Sequence, residues 1–164
     1  MTGKSCVIVA LYLLTLPCFV ASCYAWSNGG YSSDPLNPNY GTHDWIAEHA
    51  LDWLTSDVKQ WITSEMSWYL YGTELPDNGR APDGIGDTAL HHIYFNSSGY
   101  LIDDSAAVRA NATYQQALDL LLSGNLQAAA KYAGAMTHYI SDMAVFSHVM
   151  GSKTPWGSEI HHSD

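Results

Sequence analysis

Apolar residues recur at helical spacing over most of the chain. The spacing predicts a helix that Thr42 caps and further helices across residues 58–69, 103–122 and 126–148. No stretch shows the alternation of apolar and polar residues that a half-buried strand requires. The pattern therefore predicts an all-α fold, organised as a helical bundle.

Two loops rich in glycine and proline interrupt this pattern. Residues 27–41 predict an extended arm or loop before the first helix, and residues 72–86 predict a second loop. A short helix is expected over Asp87–Tyr94. Because the sequence contains no internal repeat, low-complexity segment or linker, we expect one compact domain.

The large and charged residues of the first helices are expected in opposite environments. We expect aromatic residues at helical spacing in the core, namely Trp45, Trp53, Trp61, Trp68 and Tyr69. We expect the polar residues of the first helix on a solvated face, namely Asp44, Glu48, His49 and Asp52.

Residues 1–25 have the organisation of a secretory signal peptide. Lys4 precedes a short apolar run, and small residues close the segment up to Ala25. The run is too short for a comfortable transmembrane helix. We expect cleavage after Ala25, which leaves a secreted domain over residues 26–164. In the alternative, Val20-Ala21-Ser22-Cys23 resembles a lipobox and Cys23 carries a lipid anchor.

The composition of residues 26–164 excludes some kinds of protein. The three cysteines of the chain all precede Ala25, so we expect no disulfide in the secreted domain. Lys4 is the one basic residue of residues 1–25, which contain no acid, so residues 26–164 carry 5 basic and 16 acidic residues. Binding along a nucleic-acid backbone needs a positive surface, so this balance argues against a nucleic-acid partner.

The end of the chain concentrates residues that bind metal ions. His138, Asp142, His148 and His162 are spaced His-x3-Asp-x5-His-x13-His. His138 and Asp142 would lie on one face of a helix, where both could bind one ion. Imidazole and carboxylate suit Zn²⁺, and the secreted domain has no thiolate to compete. This pattern predicts a zinc hydrolase.

The motifs together resemble the bacterial zinc-dependent phospholipase C family. Residues 138–148 followed by His162-Ser163 are similar to its central histidine motif. His43-Asp44-Trp45-Ile46 is similar to its His-x-Trp-Ile, and His92-Ile93-Tyr94 is similar to its His-x-Tyr. Mature proteins of the family begin with Trp, as Trp26 would here. The resemblance spans residues 26–164 and implies a helical bundle around a trinuclear zinc site.

The resemblance implies a set of ligands that together bind three zinc ions. The expected metal-binding residues are Trp26, His43, Asp77, His92, His138, Asp142, His148 and His162. Trp26 would bind through its amino group and carbonyl, and Asp142 would bridge the first two ions. The third ion needs a carboxylate four positions after His162, whereas the sequence given ends at Asp164. We therefore expect a domain truncated at its C-terminus.

Some of these assignments have rivals nearby. Asp83 and Asp87 lie in the same stretch as Asp77 and could replace it as a ligand. His91 is the rival of His92. His161, next to His162, is expected to be a bystander.

The resemblance also implies a reaction. A hydroxide bridging two zinc ions would hydrolyse a phospholipid to diacylglycerol and a phosphorylated head group. Asp77 would orient the attacking water or accept its proton. The expected partners are phospholipid head groups at a membrane surface, and the expected protein is a monomer without a transmembrane segment.

Two other functions remain open from the sequence. The single-strand nuclease/3′-nucleotidase group of the same superfamily shares the N-terminal Trp and the trinuclear site. The short interval between His148 and His162 and the lack of cysteines in the secreted domain argue against it. The third hypothesis is a secreted zinc-binding protein without enzymatic activity. A lipid on Cys23 would favour that hypothesis, because Trp26 would then lose its free amine.

Overall fold

The computed structural model describes residues 29–78, 93–96, 98–145 and 149. Within them the chain forms five α-helices, which are α1 (Thr42–Ala50), α2 (Ser56–Thr63), α3 (Met66–Glu74), α4 (Ser105–Leu122) and α5 (Leu126–Asp142). A 3₁₀ turn over Leu51–Trp53 follows α1. Strand β1 (Tyr94–Phe95) pairs antiparallel with β2 (Leu101–Asp103). The described chain is mostly helical, which confirms the predicted all-α fold.

Helix α5 lies at the centre of the packing. It packs extensively against α4 and α3, and it also contacts α1 and α2. Its inner face is built from alanines, whose small side chains let neighbouring helices approach closely. The buried cluster at its centre consists of Ala47, Leu51, Ile62, Tyr69, Ala117, Ala130 and Ala133.

The turn between α4 and α5 has clear sequence signals. Gly124 adopts φ +81°, a conformation that favours glycine, directly after α4. The amide of Asn125 donates to Leu120 O (2.9 Å) and that of Gly124 donates to Leu121 O (3.0 Å). These two bonds form a Schellman motif. Asn125 then caps α5, because its Oδ1 accepts from the amide of Ala128 (3.2 Å).

Two glycines allow α3 and α5 to touch backbone to backbone. A Cβ atom on Gly72 would lie 2.0 Å from Lys131 O, and one on Gly134 would lie 1.9 Å from Tyr69 O. No larger residue fits at either position without moving a helix. This close crossing brings the end of α3 against the last turns of α5.

The helix boundaries differ from the sequence prediction in several places. Residues 72–74, expected in the second loop, form the last turn of α3, and Asp103, expected in a helix, ends β2. The helix expected across residues 58–69 is broken at Ser64, where the hydroxyl donates to Trp61 O (2.8 Å) and competes with the helical pattern. The long last helix ends at Asp142 rather than at residue 148. Tyr94, the expected end of a short helix, begins strand β1 instead. Ile93 is in neither a helix nor a strand, and residues 87–92 of that expected helix lie outside the described residues.

The predicted environments of the aromatic residues were partly wrong. Tyr69 is buried, and Trp61 and Trp68 pack against the core. Trp45 and Trp53, in contrast, are 55% and 91% exposed. The helical spacing is correct, but α1 buries only His43, Asp44 and Ala47. Its buried face is therefore the polar one.

The described part of the N-terminal arm, residues 29–41, contains no helix or strand, as expected. Among the described residues, no helix is long and apolar enough to cross a membrane.

Candidate metal centre

The ends of α1 and α5 contribute one buried group of polar side chains. His43 lies in the first turn of α1, and His138 and Asp142 lie in the last two turns of α5. His138 and Asp142 are one turn apart and therefore share a helix face. All three side chains are buried, at 7%, 1% and 3% exposed.

Asp142 contacts each histidine through a different oxygen. Its Oδ1 lies 3.5 Å from Nε2 of His43, and its Oδ2 lies 3.1 Å from Nε2 of His138. The two imidazole rings are stacked, with centroids 4.1 Å apart and an interplanar angle of 18°. The carboxylate thus lies across from the Nε2 atoms of two nearly parallel imidazole rings.

Hydrogen bonds at the far nitrogens determine the tautomers of both rings. Nδ1 of His138 lies 2.5 Å from the carbonyl oxygen of Thr73, which can only accept, so this Nδ1 carries a hydrogen. Ser141 donates its hydroxyl proton to His138 O (2.8 Å). Its oxygen therefore accepts from Nδ1 of His43, 2.7 Å away.

A neutral imidazole with a hydrogen on Nδ1 has a lone pair on Nε2. The lone pairs of both Nε2 atoms consequently face oxygens of Asp142. This arrangement is repulsive unless a proton or a metal ion lies between nitrogen and oxygen. Protonation of both rings would place two positive charges on rings whose centroids are 4.1 Å apart. Metal ions bound between the nitrogens and the carboxylate would relieve the repulsion without charging the rings.

The spacing of the ligand atoms suits a small metal ion. One ligand atom from each of His43, His138 and Asp142 lies within 4.8 Å of the other two. Zinc binds nitrogen and oxygen at about 2.0–2.2 Å, so neighbouring ligand atoms of a tetrahedral site lie about 3.4 Å apart. The nitrogen–oxygen distances of 3.1 and 3.5 Å agree with that value. This group could hold a metal ion.

Asp77 lies at the edge of the same group. It follows α3, and its Oδ1 is 3.8 Å from Nε2 of His138. Its side chain is 26% exposed, so it is more open to solvent than the other three. The carboxylate of Asp77 therefore lies between the candidate metal centre and solvent.

Two more carboxylates are buried next to this group. Asp44 and Glu74 are each 1% exposed. Burial raises the pKa of Asp44 to about 6; hydrogen bonds from Gly41 and Thr73 oppose the rise, and the nearby charge of Glu74 adds to it. Burying carboxylates costs free energy unless an opposite charge is near. Asp44 directly follows His43 and Glu74 directly follows Thr73 in the chain, so a cation bound at this group would offset part of that cost.

Glu74 holds the N-terminal arm. Its two carboxylate oxygens accept from the amide of Ser32 at 3.0 and 2.9 Å, and Oε2 also accepts from the Ser32 hydroxyl (2.8 Å). Tyr31 donates its hydroxyl to the carbonyl of Asp77 (2.9 Å). The arm is thus fixed to the end of α3, beside the candidate metal centre.

The structure brings together part of the residue set predicted from the sequence. His43, His138 and Asp142 are in contact, and Asp77 is next to them. The remaining expected ligands lie outside the described residues, namely Trp26, His92, His148 and His162. Their rivals also lie outside, namely Asp83, Asp87, His91 and His161.

Sequence reasoning missed the residues that orient the histidines. Ser141 and Thr73 act through a hydroxyl and a backbone carbonyl, which no metal-binding motif identifies. Asp44 was expected on a solvated face, and this was wrong, because it lies in the first turn of α1 and accepts from Thr73 on α3. The position of Asp44 directly after His43 in the sequence was the one available signal of its role.

A mostly helical domain with a buried imidazole–carboxylate group that could hold a metal ion is typical of helical metalloproteins. A family model described as zinc dependent phospholipase C matches residues 42–163. The match covers most of the chain, so the chain belongs to the zinc-dependent phospholipase C family, as the motifs indicated. Comparison with curated proteins and with solved structures finds no significant match. The family supports a phospholipase C-type hydrolase that depends on zinc.

Proposed function

We propose that this protein is a secreted zinc-dependent phosphodiesterase that hydrolyses phospholipids to diacylglycerol and a phosphorylated head group. The observation that carries the proposal is the pair of Nε2 atoms that face the two oxygens of Asp142. Because each oxygen faces a different histidine, Asp142 would hold zinc together with both residues. His43 would hold one ion and His138 another, with Asp142 shared between them.

The family relationship supplies the rest of the proposed ligand set. Asp77 and His92 would complete the ligands of the second ion, and His148 and His162 would hold a third. Asp77 is supported by its distance from His138, 3.8 Å between Oδ1 and Nε2.

The path of the N-terminal arm supports Trp26 as a ligand of the first ion. A Cβ atom on Gly29 would lie 2.9 Å from both Asn39 O and Gly41 N, so residue 29 lies against the start of α1. His43 lies two residues after Gly41 in the chain. Three residues span at most about 10 Å, which lets the amino group of Trp26 reach this region. The proposal requires cleavage after Ala25, and hence secretion.

The chemistry can be assigned to groups of this chain. Bound zinc acts as a Lewis acid that lowers the pKa of water and neutralises phosphate oxygens. Asp77, which reaches solvent, accepts a proton from the attacking water at Oδ1. The water oxygen forms a bond to phosphorus, the bond from phosphorus to the glycerol oxygen breaks, and that oxygen takes up a proton. His43 and His138 hold their positions through the hydrogen bonds of their Nδ1 atoms to Ser141 and Thr73.

A matched pair of histidine variants on α1 tests the proposal. His43→Gln removes a buried ligand, whereas His49→Gln changes a half-exposed residue that pairs with Asp52. In the full-length protein with zinc, release of the phosphorylated head group from phosphatidylcholine vesicles should fall more than about 100-fold for His43→Gln. His49→Gln should retain wild-type activity.

Three results would contradict the proposal. Equal activity of the two variants would show that His43 is not part of the site. Hydrolysis of single-stranded DNA without hydrolysis of phosphatidylcholine would indicate the nuclease group. Zinc binding without hydrolysis of either substrate would indicate a non-enzymatic zinc-binding protein.

A further inference from the structure

Asp44 joins two of the helices that form the candidate metal centre. Its Oδ2 accepts from the amide of Gly41 (2.8 Å), directly before α1, and its Oδ1 accepts from the hydroxyl of Thr73 (2.9 Å) on α3. The side chain is 1% exposed, and Thr73 is fully buried. One carboxylate therefore fixes the start of α1 to the end of α3.

Thr73 continues this connection to α5. Its carbonyl oxygen accepts from Nδ1 of His138. Carbonyls in the last turn of a helix have no partner within that helix, so this one can accept from a side chain. Its position depends on how the end of α3 is held, and Asp44 holds that end through the Thr73 hydroxyl. The Thr73 hydroxyl also lies 2.8 Å from Leu70 O, so its single proton is shared between two acceptors.

A contribution to stability does not explain why a carboxylate is buried at position 44. A buried carboxylate costs free energy, and hydrogen bonds from neutral donors offset only part of that cost. A role in orienting ligands does account for it. Asp44 directly follows His43, so its two hydrogen bonds also fix the first turn of α1, which carries that histidine.

We propose that Asp44 and Thr73 are a positioning pair that holds His43 and His138 in the geometry required for metal binding. The inference rests on the metal centre of the proposed function and extends it to two residues that contact neither metal nor substrate. Partners of this kind typically change metal affinity by 10–100-fold.

Two substitutions at Thr73 separate the hydroxyl from the backbone carbonyl. Thr73→Val keeps the size and the carbonyl but removes the hydroxyl, whereas Thr73→Ser keeps both polar groups. In the full-length protein, zinc affinity measured by competition with a chromophoric chelator should fall by about 10–100-fold for Thr73→Val. Thr73→Ser should remain close to wild type. The visible spectrum of bound Co²⁺ should change for Thr73→Val only.

Asp44→Ala tests the same hydrogen bond from α1, because it removes the oxygen that accepts from Thr73. Its loss of zinc affinity should be non-additive with that of Thr73→Val, because both substitutions break this contact. Asp52→Ala, at an exposed position after α1, is the matched control and should leave zinc affinity unchanged.

The free energy of unfolding of the metal-free proteins in urea distinguishes positioning from simple stabilisation. If Thr73→Val and Asp44→Ala lower that free energy but bind zinc with wild-type affinity and an unchanged Co²⁺ spectrum, the inference is wrong. If the wild-type protein itself binds no zinc, the proposed function fails and this inference fails with it.

Discussion

Hydrogen-bond partners set the chemistry of the individual residues around Asp142. The Thr73 carbonyl and the Ser141 hydroxyl each take a hydrogen from an Nδ1 atom, which directs the Nε2 lone pairs of His138 and His43 toward the carboxylate. These partners lie in the folded chain itself, so the histidines are oriented before a metal binds. Such preorganisation reduces the entropy lost on binding.

The pH dependence of the free energy of unfolding tests the burial of Tyr69. Its side chain is 2% exposed and donates to Ala47 O (3.1 Å). Burial raises the pKa of Tyr69 from 10.0 to about 12. Between these values the folded protein keeps a proton that the unfolded chain has lost, so the free energy of unfolding falls as pH rises. Tyr69→Phe should make this fall shallower in urea titrations between pH 10 and 12. An unchanged slope would show that Tyr69 titrates like an unfolded tyrosine.

At the scale of elements, the crossing of α3 and α5 determines where the candidate metal centre forms. Gly72 and Gly134 let the two backbones touch, and the end of α3 then lies beside His138. Thr73 directly follows Gly72, so the contact that orients His138 depends on this close approach.

Gly134→Ala should therefore destabilise the protein. The added Cβ would lie 1.9 Å from Tyr69 O, a backbone atom that cannot move away alone. We expect a loss of at least about 2 kcal/mol in the free energy of unfolding, measured in urea. Gly99→Ala is the control, since it meets no atom within 4 Å and bears only the strain of φ +79°. It should cost about 1 kcal/mol. Equal losses for the two variants would contradict the close crossing.

The sequence predicts elements better than it predicts contacts between them. The Gly124-Asn125 signal and the alanine-rich pattern locate α4 and α5, because capping and periodicity are local properties. The exposure of Trp53 and the burial of Asp44 depend on which face of a helix meets its neighbours, and periodicity does not determine that. The spacing of His138 and Asp142 predicted their common face, whereas their contact with His43 needed the resemblance and then the fold.

At the scale of the whole molecule, the site is assembled from distant parts of the chain. His43 comes from α1, Asp77 follows α3, and Asp142 ends α5, so the group forms only when the helices have packed. Metal binding and folding should therefore be coupled. The chain is acidic, with a formal net charge of −10, and buries the carboxylates of Asp44, Glu74 and Asp142. Bound cations would offset this charge.

The zinc content of the full-length protein tests the central claim most directly. After dialysis against zinc-free buffer, metal analysis should find zinc in the wild-type protein and at least one ion fewer per chain in Asp142→Asn, because Asp142 faces both histidines. The exposed control Asp52→Asn should match the wild type. A wild-type protein without zinc, or equal zinc in wild type and Asp142→Asn, would contradict a metal centre at Asp142.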